Sequence, residues 1–123
     1  MRREFGLSLL LITHDPAIVA RAADRVAVMY AGRIVETGPA RGVLASPLHP
    51  YTRGLLASLP GPVPRARLEA IPGAAPDLAA LPPGCAFAPR CPARFSACDA
   101  SRPEAVTVSP GHEARCFLHG GAA

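Results

Sequence analysis

Apolar residues crowd together over positions 7–13, where Ser8 alone interrupts Leu7, Leu9, Leu10, Leu11 and Ile12 before Thr13. A strand covered on both faces in a parallel sheet carries this pattern, and the run predicts one. Asp15 and Pro16 then supply an N-cap and a first-turn proline, and Ile18, Val19, Ala22 and Ala23 recur at helical spacing. Residues 25–30 and 33–37 are two short strand patterns around Ala31-Gly32, where glycine provides the permissive turn position of a hairpin. Residues 39–45 and 50–58 each open on proline and predict short helices. The order is strand, helix, hairpin and two helices. A doubly covered parallel strand needs parallel neighbours, and only one such pattern is present, so the first half reads as the end of a larger α/β domain.

The character of the chain changes at position 60. Residues 1–59 hold four prolines, whereas residues 60–83 hold seven in 24 positions. Each proline removes a backbone donor and restricts the residue before it, so this stretch predicts an extended connector between two units. Residues 84–119 carry all four cysteines and predict a small, irregular unit of their own.

Composition narrows the chemistry. All 13 basic Lys and Arg positions are arginine, and the 123 residues contain neither lysine nor glutamine. Within them there is consequently no P-loop lysine for ATP phosphates, no Schiff-base lysine and no lysine base. The net charge of +4 is spread along the chain without a basic block, and with so few aromatics no nucleic-acid partner is expected. The apolar run at 7–12 is far shorter than the ~20 residues that span a bilayer, and its flanks make a poor signal peptide, so the expected compartment is the cytosol.

Cys85, Cys91, Cys98 and Cys116 are spaced Cys-x5-Cys-x6-Cys-x17-Cys. Four cysteines suit a tetrahedral zinc site, a cubane iron-sulfur cluster or two disulfides. Zinc usually takes close Cys-x2-4-Cys pairs, absent here; longer loops suit a larger object, and disulfides are disfavoured in a reducing cytosol. Arg90, Arg94, Arg102 and Arg115 lie near cysteines in the sequence and are expected to favour ionised sulfur. His112 is a candidate alternative ligand, although a supporting or capping role suits it better when four cysteines are at hand. His49 precedes a proline-initiated helix, where histidine caps or packs more often than it ligates.

The run Leu9-Leu10-Leu11-Ile12-Thr13-His14-Asp15, followed by residues 23–36 (ADRVAVMYAGRIVE) and Gly38, resembles the end of an ABC transporter ATP-binding subunit. Residues 46–53 (SPLHPYTR) are similar to the His-Pro-Tyr element of oligopeptide and dipeptide importer ATPases. Gly84-Cys85, Phe87, Pro89-Arg90-Cys91-Pro92, Cys98, Pro103, Gly111-His112 and Cys116 resemble that family's C-terminal cysteine segment. The resemblance implies three parts: residues 1–59 as the C-terminal piece of the ATPase domain, 60–83 as connector and 84–119 as the cysteine segment. It implies that His14 is the catalytic switch histidine near the ATP γ-phosphate. By pattern alone His14 is a loop histidine at the C-terminal end of a parallel strand, where α/β folds place ligands.

By the same resemblance, Cys85, Cys91, Cys98 and Cys116 hold a 4Fe-4S cluster, ahead of zinc. The intact subunit would bind ATP and Mg, pair with a second ATP-binding subunit and drive permease subunits that import di- or oligopeptides. It would be cytoplasmic and peripheral, meeting the membrane only through the permease. Walker A, Walker B, glutamine-loop and signature motifs do not occur in these residues, so the chain by itself is expected not to hydrolyse ATP. The competing expectation is a free-standing metal- or iron-sulfur-binding module without a transport role.

Overall fold

The computed structural model describes residues 4–59 and 70–120. Helix α1 (Pro16–Ala22) begins as its sequence dictates: Asp15 is the N-cap, and its Oδ1 accepts the Ala17 N–H at 2.8 Å. The residues before it depart from expectation. Positions 7–13 form no strand, and their apolar side chains stand open, Leu10 88% and Ile12 91% exposed. A strand exists only within a ladder, and among the described residues no segment runs beside this one to accept its N–H groups.

The hairpin forms as expected from β1 (Arg25–Tyr30) and β2 (Arg33–Pro39), paired antiparallel. Ala31 and Gly32 both have positive φ, 48° and 77°, the turn geometry whose twist matches that of the flanking strands. A bulge interrupts the pairing: Val28 faces Glu36 and Met29 faces Ile34, so Val35 is the extra residue. In a regular strand Val35 and Glu36 would point to opposite faces, but at the bulge both are buried. Helices α2 (Ala40–Ala45) and α3 (Pro50–Ala57) follow at the predicted positions.

The cysteine-bearing tail is more regular than its sequence indicates. It contains a 3-10 turn (Ala88–Arg90), helix α4 (Ser96–Ala100), strands β3 (Val106–Ser109) and β4 (His112–Ala114), and a second 3-10 turn (Phe117–His119). Strand β4 pairs with β2, so the sheet runs β1-β2-β4-β3 and is antiparallel at every pairing. The parallel strand predicted at 7–13 takes no part in it. Beyond the β2·β4 ladder, the Val35 carbonyl accepts the Arg115 N–H at 2.8 Å and the Gly111 carbonyl accepts Arg25 Nη2 at 2.9 Å.

The core sits where hairpin, α3 and tail meet. Tyr30, Val35 and Phe87 are its buried centre, with Val28, Tyr51, Ile71 and Cys85 packed against it. Phe87 meets Tyr30 edge-on at 5.2 Å between ring centroids and Tyr51 at 5.5 Å, arrangements that suit the ring quadrupoles. Of the predicted connector, residues 60–69 lie outside the described residues. Residues 70–83 contain neither helix nor strand, as their prolines require, and Arg90 Nε donates to the Pro72 carbonyl at 2.8 Å.

Candidate functional site

The four cysteines come from three local structures. Cys85 and Cys91 bracket the first 3-10 turn, Cys98 lies in α4, and Cys116 follows β4 at the start of the second 3-10 turn. The Cys85 N–H donates to the Cys98 carbonyl at 2.7 Å, which brings the first loop against α4. Gly84 permits that approach, because a Cβ there would collide with the backbone carbonyl oxygens of Cys98 and Asp99.

All four line one cavity of about 20 Å³, whose other walls include His49, Pro50, Phe87, Ala88 and Phe117. All are free thiols. Burial pushes the Cys85, Cys91 and Cys116 thiols up; backbone N–H groups pull less strongly the other way, and neighbouring sulfurs raise each thiol further. Three of the four guanidinium groups expected to favour thiolate are engaged elsewhere. Arg90 donates to the carbonyls of Pro72 and Ile71, Arg94 pairs with Asp99 at 2.9 Å, and Arg115 reaches Glu104 at 3.4 Å. Arg102 and Arg115 line a second cavity with Cys85, but the Cys85, Cys91 and Cys116 thiols are shifted by burial, backbone N–H groups and one another.

The donor set bears on what the cavity can hold. Among the described residues, no three His, Cys, Asp or Glu side chains are placed to hold a metal ion. Zinc bound by thiolates needs every sulfur ~2.3 Å from one centre, so the arrangement does not fit zinc. Four cysteines around one largely apolar cavity match the donor set of a cubane cluster, but 20 Å³ is about the room of a single water, so the loops must spread to admit one.

His49 and Pro50 bring the turn before α3 into the cavity wall. His49 is the N-cap of α3: its Nδ1 accepts the Tyr51 N–H at 3.0 Å, so in the neutral ring Nε2 carries the proton. Burial pushes its pKa down to about 4, outweighing the attraction of Glu36, while His119 and Arg53 add to the depression. His49 thus caps and packs, as its position before Pro50 predicts.

Glu36 is the residue that sequence reasoning missed. It is 1% exposed and accepts three hydrogen bonds: Leu48 N–H and His112 Nε2 at Oε1, 2.9 and 2.8 Å, and His49 N–H at Oε2, 2.9 Å. Burial raises its pKa, but the His49 and Leu48 amides, the His112 ring and the Thr52 hydroxyl together hold the carboxyl below its ordinary value. His112 is accordingly turned toward Glu36 and does not line the cysteine cavity. The available signal was a lone acid between the apolar Ile34-Val35 pair and Gly38. Gly38 itself has no room for a side chain, since a Cβ would lie 2.8 Å from His112 Cδ2.

The model of the oligopeptide/dipeptide transporter C-terminal region matches residues 35–98, just over half of the chain. The chain belongs to that family. Within the oligopeptide/dipeptide transporter family it is 47% identical over 118 residues to the oligopeptide transport ATP-binding protein AppD of Bacillus subtilis, covering 95% of this chain and 36% of the relative. It is 46% identical over 119 residues to the dipeptide transport ATP-binding protein DppD of the same organism, covering 96% and 36%. A putative peptide import ATP-binding protein of Brucella ovis is 47% identical over 124 aligned positions, covering 95% and 37%. The chain spans about a third of the length of these relatives. The family match begins at Val35, so Glu36, His49, Cys85, Cys91 and Cys98 lie within it, and His14, His112 and Cys116 lie outside. His14 is exposed in the bend before α1 and is not among the residues lining the cysteine cavity.

Proposed function

We propose that the chain is the C-terminal part of the ATP-binding subunit of an ABC importer for di- or oligopeptides. The observation that carries this is 47% identity, across 95% of the chain, to a protein named as an oligopeptide transport ATP-binding protein. ATP and Mg are held by parts of the intact subunit that supply the Walker motifs, and two ATP-binding subunits act on the cytosolic face of the permease. No helix among the described residues is long and apolar enough to cross a membrane, in keeping with attachment through the permease. His14, exposed in the bend before α1, is assigned to the γ-phosphate side of the site, where a histidine can donate to a phosphate oxygen. The open apolar segment at 7–13 fits this reading, because in a complete domain parallel neighbours would cover both its faces.

Cys85, Cys91, Cys98 and Cys116 are assigned to a 4Fe-4S cluster, a reading supported by their convergence on one cavity. When bound, such a group ties its ligand loops together and adds one-electron chemistry. This chain's own residues hold the loops: the Cys98 carbonyl fixes Cys85, Phe87 fills the space beneath, and His49 and Pro50 close one side.

The test is the full-length subunit, purified anaerobically with its permease. ATP hydrolysis stimulated by peptide-loaded binding protein, with stoichiometric iron and sulfide, is the expected result. Lack of nucleotide hydrolysis by the complete assembly would overturn the transport reading. Zinc without sulfide, or no metal, would overturn the cluster reading.

A further inference from the structure

The cysteine cavity is closed by two pieces of chain that are distant in sequence. His49 and Pro50 come from the turn before α3, and the remaining walls come from the tail. One carboxylate outside both pieces holds them together. Glu36, on β2, accepts the Leu48 and His49 N–H groups and so fixes the turn; it also accepts His112 Nε2 and so fixes β4. Its backbone sits opposite Ala114, two residues before Cys116. The same turn is held a second time by the tail, because His119 Nε2 donates to the Leu48 carbonyl at 2.9 Å.

We propose that Glu36 is the positioning residue of the cysteine site: by gripping the His49 turn and the His112 strand in one buried carboxylate, it makes convergence of the four cysteines depend on the tail being clamped to the hairpin. The cysteine site is therefore not a property of residues 84–119 alone. This holds whatever occupies the cavity, because the clamp is made of protein groups only. Removing the carboxylate strands three donors together, the buried His49 amide and His112 ring and the half-buried Leu48 amide. The packing of Gly38 against the His112 ring leaves that ring little room to find another partner.

The experiment measures iodoacetamide alkylation of each cysteine by mass spectrometry, in the full-length subunit as purified and after chelator treatment. Glu36→Gln presents an amide NH2 to groups that are already donors, and it is expected to speed alkylation of Cys85 and Cys116 about tenfold. His112→Gln keeps a donor close to the position of Nε2 and should stay near the parent rate, whereas His112→Ala should match Glu36→Gln. Val26→Ala, in β1 and outside clamp and cavity, controls for general destabilisation. The proposal is overturned if Glu36→Gln exposes the thiols no more than Val26→Ala at equal loss of stability, or if His112→Gln is as fast as His112→Ala. The His112 pair decides the matter should Glu36→Gln fail to fold. Iron content is read separately, so loss of the cluster assignment leaves this result intact.

Discussion

His49 Nδ1 accepts the Tyr51 N–H at 3.0 Å while the ring is 1% exposed, so the cap that starts α3 works only with a neutral histidine. A pH dependence follows. The pKa falls from 6.5 to about 4 on folding, so between those values the unfolded chain binds a proton that the folded chain refuses. Stability is then full above pH 6.5 and declines as pH falls toward 4, by about 3 kcal/mol in all. Glu36 acts in the same sense at lower pH: its folded value lies below 4.5, so its contribution is present above 4.5 and is lost as pH falls through the folded value. Denaturant midpoints from pH 4 to 8 should show this slope, and His49→Asn, which keeps a capping oxygen, should flatten it. A midpoint independent of pH across that range would contradict the assignment.

Two glycines should behave differently on substitution by alanine. At Gly84 the new Cβ collides with the Cys98 and Asp99 carbonyl oxygens, so the loop must move and the Cys85–Cys98 hydrogen bond is lost. The expected loss is about 2 kcal/mol or more. At Gly32 a Cβ meets nothing within 4 Å, and the cost is the positive φ of 77° alone, about 1 kcal/mol. Limited proteolysis of the tail separates them further, since only Gly84→Ala should accelerate cleavage there.

Phe87→Ala should be among the most damaging core changes, about 3 to 5 kcal/mol. Its ring is 2% exposed and meets Tyr30, Tyr51 and His49, so one truncation loosens hairpin, α3 and cavity together. Thermal unfolding of Phe87→Ala and Phe87→Leu provides the check, with the smaller change expected for leucine.

The metal-free thiols should react slowly. Burial raises Cys85, Cys91 and Cys116 above the ordinary thiol value of 9.0, leaving little thiolate at neutral pH. Alkylation at pH 7 is expected to be about tenfold or more slower than for an unstructured cysteine peptide, rising with pH to beyond 9. Rapid labelling of all three at pH 7 would contradict this.

His14→Ala in the full-length subunit should lower the rate of ATP hydrolysis about 100-fold while leaving unfolding within about 0.5 kcal/mol of the parent. The side chain is exposed and outside the core, so a large stability loss would argue against a purely catalytic role.

The local signals in the sequence were reliable where a residue acts on its own neighbours. Asp15-Pro16 and His49-Pro50 announce helix starts, and Ala31-Gly32 announces the hairpin turn, because caps and turns are decided by two to four adjacent residues. The run at 7–13 has the pattern of a strand and no strand forms, since a ladder needs a second segment. Glu36 gave almost no signal, because an acid in a short strand is ordinarily a surface residue.

By itself the sequence determined the helix starts, the turn, the proline-rich break, the four cysteines and the kinship those motifs carry. All of these are settled by residue type and short spacing. Only the tertiary structure decided that the tail pairs with the hairpin, that Arg90, Arg94 and Arg115 turn to partners other than the sulfurs, and that His49 shares a cavity with the cysteines. The physical reason is distance: Glu36 and His112 are 76 residues apart in sequence and 2.8 Å apart in space, and such a contact is chosen by burial and by the number of donors one carboxylate can satisfy.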